Sequence, residues 1–161
     1  MKVSLKRFKQ TFGIRLFGWL KIPLLASVRP SVVELSETRC VIRVPLRRWT
    51  RNHLGSMYFG ALAIGADCAG GLLAMDQITR SGGKVSLVFK AFQATFLKRP
   101  ESDVYFICEG GEAIRDHVRR ALDSEDRITE PMAIQAAVKT PDGSFEPVAE
   151  FTLELSLKRK A

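Results

Sequence analysis

Hydrophobic and polar positions along this chain follow two rhythms, and the places where one gives way to the other mark its elements. Near the start, Leu5, Phe8, Phe12, Leu16, Trp19 and Leu20 recur every three or four residues, which predicts an amphipathic helix. Arg29-Pro30 closes that lead-in, and SVVEL begins extended structure. From Arg39 to Leu46 the period is two: Cys40, Ile42, Val44 and Leu46 point one way, Val41, Arg43 and Pro45 the other. Val85 to Leu97 predicts a long strand, with Phe89, Phe92 and Phe96 shared between its two faces. Asp103 to Glu109 is a further strand. Ile114, Val118 and Leu122 then predict a short helix, from about 111 to 122. Ile128 to Lys139 is extended again, and Pro141-Asp142-Gly143-Ser144 is a hairpin turn. The last strand sends Phe151, Leu153, Leu155 and Leu157 inward, and Thr152, Glu154, Ser156 and Lys158 outward.

One stretch fits neither rhythm. From Tyr58 to Met75 nearly every residue is apolar or small, so a helix here, over about 57–75, has no polar face to offer water and belongs inside. Yet Asp67 stands in its middle, the only acidic residue between Glu37 and Asp76. A buried, unpaired carboxylate is costly, so it is either satisfied by a neighbour or kept for its chemistry. Gly60, Ile64, Asp67 and Gly71 fall on one face of this helix.

Strands joined mostly by short turns predict a largely antiparallel sheet. Wrapped around one long, glycine-bearing helix, such a sheet is a hotdog arrangement, of the α+β class. The chain reads as a helical lead-in over residues 1–28 and a single domain over 29–161. At 161 residues the chain is long enough for one domain with a real core.

The formal charge of +8 favours acidic partners such as nucleic acid, a lipid surface or a polyphosphate ligand. No nucleic-acid-binding motif accompanies it, so nucleic acid is set aside. The N-terminal helix reads as one docked on its own domain by its apolar face, with an anionic membrane surface as the alternative. The apolar stretch at 58–75 is short, charged at its centre and rich in glycine, and so is not read as a membrane span. Three scattered cysteines without a CxxC spacing argue against disulfides or zinc and suit a reducing cytoplasm. Two histidines are too few for a histidine-rich metal centre, and Ser56 and Cys68 lie in no nucleophile motif.

The run Asn52-His53-Leu54-Gly55-Ser56-Met57-Tyr58-Phe59-Gly60-Ala61-Leu62, followed by Asp67 and Gly70-Gly71, resembles the thioesterase-type hotdog proteins of the phenylacetate-degradation group. It is most similar to a bacterial branch carried as a domain of unknown function. VSLVFKAFQATFLKRPESDVYF and CEGGEAIRDHVRRAL share the resemblance, which spans roughly 30–158. What it implies is hydrolysis of acyl-coenzyme A or acyl-carrier thioesters by a homodimer or tetramer, with coenzyme A as part of the substrate and no cofactor. Asp67 then matches the acid that activates water. Phe59 and Gly60 match the helix-start amides that polarise the carbonyl, and Asn52 matches the loop residue that serves the other subunit's site. His53, Gly55, Tyr58, Arg47, Arg48, Lys98 and Arg99 are the candidate substrate contacts, the basic ones for coenzyme A phosphates. Where many relatives have His-Gly-Gly, this chain has Tyr58-Phe59-Gly60.

The residues support that chemistry in part on their own. A carboxylate among apolar neighbours acquires a raised pKa, as a general base requires. A helix start offers free N–H groups to an oxyanion. The two lie roughly 10 Å apart along the helix, so a loop from a partner subunit, or a bent substrate, has to complete the site, which agrees with a dimer. Asn52 reads equally as a brace of its loop. The rival reading is a non-catalytic module that holds an acyl or lipid ligand in the same cavity.

Overall fold

A computed structural model describes residues 2–160; Met1 and Ala161, the ends of the two expected segments, lie outside the described residues. The helix α1 (Lys2–Lys21) and a short α2 (Pro23–Ser27) precede strands β1 (Ser31–Leu35) and β2 (Cys40–Val44). Then come α3 (Phe59–Arg80), β3 (Val85–Phe96), β4 (Val104–Cys108), α4 (Gly111–Asp123), β5 (Ile128–Lys139) and β6 (Phe145–Arg159). All six strands form one antiparallel sheet in the order β1-β2-β4-β5-β6-β3. The α+β arrangement expected from the sequence is therefore present, with α3 at its centre.

The core lies between α3, α4 and the inner face of the sheet. Phe151, Leu153, Leu155 and Leu157 of β6 are buried against it as their spacing predicts. Ser156, expected to face out, is buried too and is bonded to Thr129 (2.8 Å). A β-carbon at Gly65 would sit 2.2 Å from the ring of the fully buried Phe106, so only glycine lets α3 approach β4 this closely. Cys40 stands opposite Cys108 across β2 and β4, a juxtaposition their distance in sequence hides. Both are free and buried, and burial raises both thiol pKa values.

Three expectations need correction. Helix α3 starts at Phe59 and runs to Arg80 rather than spanning 57–75. Tyr58 is extended (ψ 139°) and its amide donates to the Thr50 carbonyl, which delays the start. Beyond Asp76, Gln77 and Ile78 are buried and carry the helix one turn further. The phenylalanines of β3 are not shared between faces. A β-bulge between Phe89 and Ala91 shifts the register, so Phe89, Phe92 and Phe96 oppose Leu155, Leu153 and Ala149, all inward residues of β6.

The third correction concerns α1, which docks by its polar side. Thr11 Oγ1 accepts from the Val32 amide (2.9 Å), and Arg15 donates to the Pro30 carbonyl (2.8 Å) and to Ser31 Oγ (2.7 Å). Strand β1 is a sheet edge, and an edge presents unpaired backbone groups that select polar partners. The opposite edge, the twelve residues of β3, has no strand or helix along it among the described residues.

Candidate functional site

Along α3 one row of less buried positions recurs every four residues, Phe59, Ala63, Asp67, Gly71 and Met75, beside a second at Gly60, Ile64, Leu72 and Asp76. This stripe faces the uncovered end of the sheet. A β-carbon at Gly71 would lie 3.6 Å from Asp67 Oδ1 and 3.8 Å from the Phe89 ring, so Asp67 looks toward Phe89 on β3. Phe92 (43 % exposed) and Phe96 (52 %) continue that wall, each packed on Phe151 at ring distances of 5.6 and 6.3 Å. These side chains form an apolar groove face between α3 and β3 beside the Asp67 carboxylate, with no further strand along its outer side among the described residues.

Burial raises the pKa of Asp67, and no hydrogen bond or charge opposes the shift. Two hollows elsewhere, about 310 Å³ beside Glu101 and Asp103 and about 170 Å³ between α4 and β5, include neither Asp67 nor the start of α3. Among the described residues no group of His, Cys, Asp and Glu could hold a metal ion.

The start of α3 is held from two sides. The Met57 amide donates to the Pro100 carbonyl (2.9 Å) and the Tyr58 amide to the Thr50 carbonyl (2.8 Å). Ala61 and Leu62 donate back to the Tyr58 carbonyl. That leaves the amides of Phe59 and Gly60, the first two of the helix, without a partner among the described backbone bonds. The N-cap supplies no side-chain acceptor. The Tyr58 ring lies over Gly60, 2.6 Å from where a β-carbon would be, and stacks on Phe59 at 4.7 Å in a tilted arrangement.

Asn52 braces its own loop. Its Oδ1 accepts from the Leu54 amide (2.9 Å) and the Ser56 amide (3.2 Å), and its Nδ2 donates to Ser56 Oγ (3.1 Å). Gly55 completes the turn with φ +87°, a conformation that side chains disfavour. His53 is exposed on this loop. The same two anchors bring both basic pairs to this end of the molecule: Arg47 and Arg48 precede Thr50, and Lys98 and Arg99 precede Pro100. Lys98 pairs with Glu146, whereas Arg47, Arg48 and Arg99 form no ion pair among the described residues.

Phe89, Phe92 and Phe96 were not among the residues the sequence singled out for the site. Their spacing of three and four within a strand was the available signal, since period two cannot put them on one face without a bulge. The carbonyls of Thr50 and Pro100, which fix the helix start, leave no mark in side-chain identity.

The profile of DUF4442, a domain of unknown function, matches residues 13–156. The chain belongs to that family. No curated protein matches the sequence significantly. Among solved structures, a Pseudomonas aeruginosa protein of unknown function, named a probable thioesterase, is similar at 23 % identity and a TM-score of 0.73, covering 92 % of this chain and 95 % of its own. A Shewanella oneidensis protein provisionally named a thioesterase matches at 13 % identity and TM-score 0.74, over 94 % and 98 % of the two chains. A thioesterase from Haemophilus influenzae matches at 13 % and 0.60, over 89 % and 88 %. At these identities the likeness establishes the hotdog fold for this DUF4442 protein. The apolar length of α3 alone would suit a membrane span, but half of that window is buried in the domain as its core helix.

Proposed function

We propose that this DUF4442 protein hydrolyses acyl thioesters, carried by coenzyme A or a carrier protein, at a site built from two copies of the chain. The observation that carries the reading is Asp67: a partly buried carboxylate with no partner among the described residues, its pKa raised, beside the apolar face between α3 and β3. The similar folds of proteins named thioesterases from Haemophilus influenzae and elsewhere support it.

In this reading Asp67 takes a proton from water as the water oxygen attacks the thioester carbonyl carbon. The oxyanion accepts hydrogen bonds from unspent helix-start amides, the C–S bond breaks, and the thiolate leaves with the proton. Within one chain Gly60 and Asp67 are seven residues apart, about 10 Å of helix rise, too far for one carbonyl to meet both. The amides of Phe59 and Gly60 therefore serve the Asp67 of a second copy. The bare edge of β3 supports such a copy, because a long, unpaired apolar edge invites another strand. The exposed arginines Arg47, Arg48 and Arg99 take the phosphates of coenzyme A. Asn52, with one Nδ2 hydrogen committed to Ser56, acts first as the brace that holds this loop against the other subunit. Free cysteines suit the cytoplasm as its compartment.

A second reading, an acyl-binding module without turnover, draws on the Tyr58 ring, which covers Gly60. Thiol release from short, medium, long and aromatic acyl-coenzyme A thioesters, and from an acyl-carrier thioester, separates the two. Turnover on any member supports hydrolysis. Tight binding without thiol release on every member supports the binding module.

A further inference from the structure

Helix α1 is amphipathic in the wrong sense for a helix that belongs to its domain. Its inward positions, Thr11, Arg15 and Gly18 with the single large apolar residue Ile14, face the domain, and a β-carbon at Gly18 would sit 2.9 Å from the Ala26 backbone. Its apolar positions face away. Phe8 is 69 % exposed and Trp19 71 %, with Leu5, Phe12, Leu16 and Leu20 between 41 % and 60 %. Leu24 of α2 extends the patch. No element among the described residues covers these side chains.

Charge says what does. The first 33 residues hold seven basic residues and no acidic one, so nearly all of the formal +8 charge is carried there. Lys6 flanks the apolar arc and Lys9 lies within it, both exposed, and such long side chains can lie along a surface and reach its anionic layer. The basic character continues off the helix. Burial, and then repulsion from Arg29, Arg43 and Arg47, lowers the pKa of Arg15, which puts these arginines within electrostatic reach of one another. Tryptophan and phenylalanine amid lysine and arginine is the composition of a helix that lies in the plane of a bilayer surface. A second copy would meet the same surplus of positive charge and gain no compensation, whereas anionic headgroups neutralise it.

We infer that α1 docks the protein on an anionic lipid surface. The inference stands on the exposed face and its charge, and holds whether or not Asp67 hydrolyses a thioester.

Flotation of the full chain with vesicles of phosphatidylcholine alone, or mixed with phosphatidylglycerol, tests it. The protein should float with the anionic vesicles only, and should be released as salt rises from about 0.1 M to about 1 M, over which the Debye length falls from about 10 Å to 3 Å. Phe8→Ser, Phe12→Ser and Trp19→Ser together should abolish flotation with the melting temperature unchanged, since all three are exposed. Lys6→Gln with Lys9→Gln should weaken partitioning roughly 25-fold, at about fivefold per basic residue near the surface. Failure to float with anionic vesicles overturns the inference, as does equal flotation with neutral ones. So does a wild-type mass by light scattering that falls in the triple serine variant while vesicles have no effect, because a second copy is then the occupant.

Discussion

Asp67 carries a raised pKa for one cause, burial, and that fixes the sign of its effect on stability. The folded chain holds this proton more tightly than the unfolded one. The contribution is complete below the ordinary carboxylate pKa and is lost as pH rises through the raised value. Asp67→Asn removes the penalty of burying a charge, so the variant should melt above wild type at neutral pH. If deprotonation costs about 1 kcal/mol the difference is roughly 2–4 °C, and it should vanish near pH 3. A variant that melts lower at neutral pH would reveal a partner for the carboxylate. The glycines divide in the same way. Gly65→Ala should destabilise by at least about 1–3 kcal/mol in denaturant melts, because Phe106 has nowhere to go. Gly71→Ala meets only ordinary contacts at 3.6 to 3.9 Å and should fold normally, yet it narrows the groove beside Asp67 and should lower turnover. Asp67 was legible because a lone acid in an apolar run is a local anomaly. The bracing of Asn52 and the pairing of Lys98 with Glu146 depend on loop geometry and on contacts 48 residues apart, which a pattern of residue types does not encode.

The inner strands were legible for the same reason as Asp67: alternation in β6 and spacing in α4 are local and strong, and the buried positions match them. Two elements misled. In β3 the bulge at Lys90 turns three phenylalanines to one face, and a strict period of two has no room for it. In α1 the spacing correctly gave a helix, but the assumption that apolar faces turn inward failed because a sheet edge asks for hydrogen bonds. The β3 edge carries its own prediction. Ala94 and Phe96 are exposed on its inner face, and Ala94→Glu with Phe96→Glu places charge where a second strand would pair. Light scattering should report a dimer or larger for wild type and a folded monomer for this variant, with turnover lost alongside. A variant of unchanged mass would move the oligomer interface elsewhere.

The assembled picture is a hotdog domain with two unequal edges. One is sealed by α1, whose outward face is apolar and basic; the other is open, and the groove that contains Asp67 runs along it. The order of elements, the α+β class and the central helix followed from sequence periodicity and turn chemistry. The open groove did not, because it is defined by what the single chain leaves uncovered. The account turns on Asp67 as the base that activates water on a thioester. The direct measurement is thiol release by wild type and Asp67→Asn protein, side by side, on the acyl-coenzyme A that wild type turns over fastest. The variant should fold with unchanged oligomeric mass and lose turnover by about 10²-fold or more, the usual contribution of a positioned base. Retained turnover in the variant would contradict it.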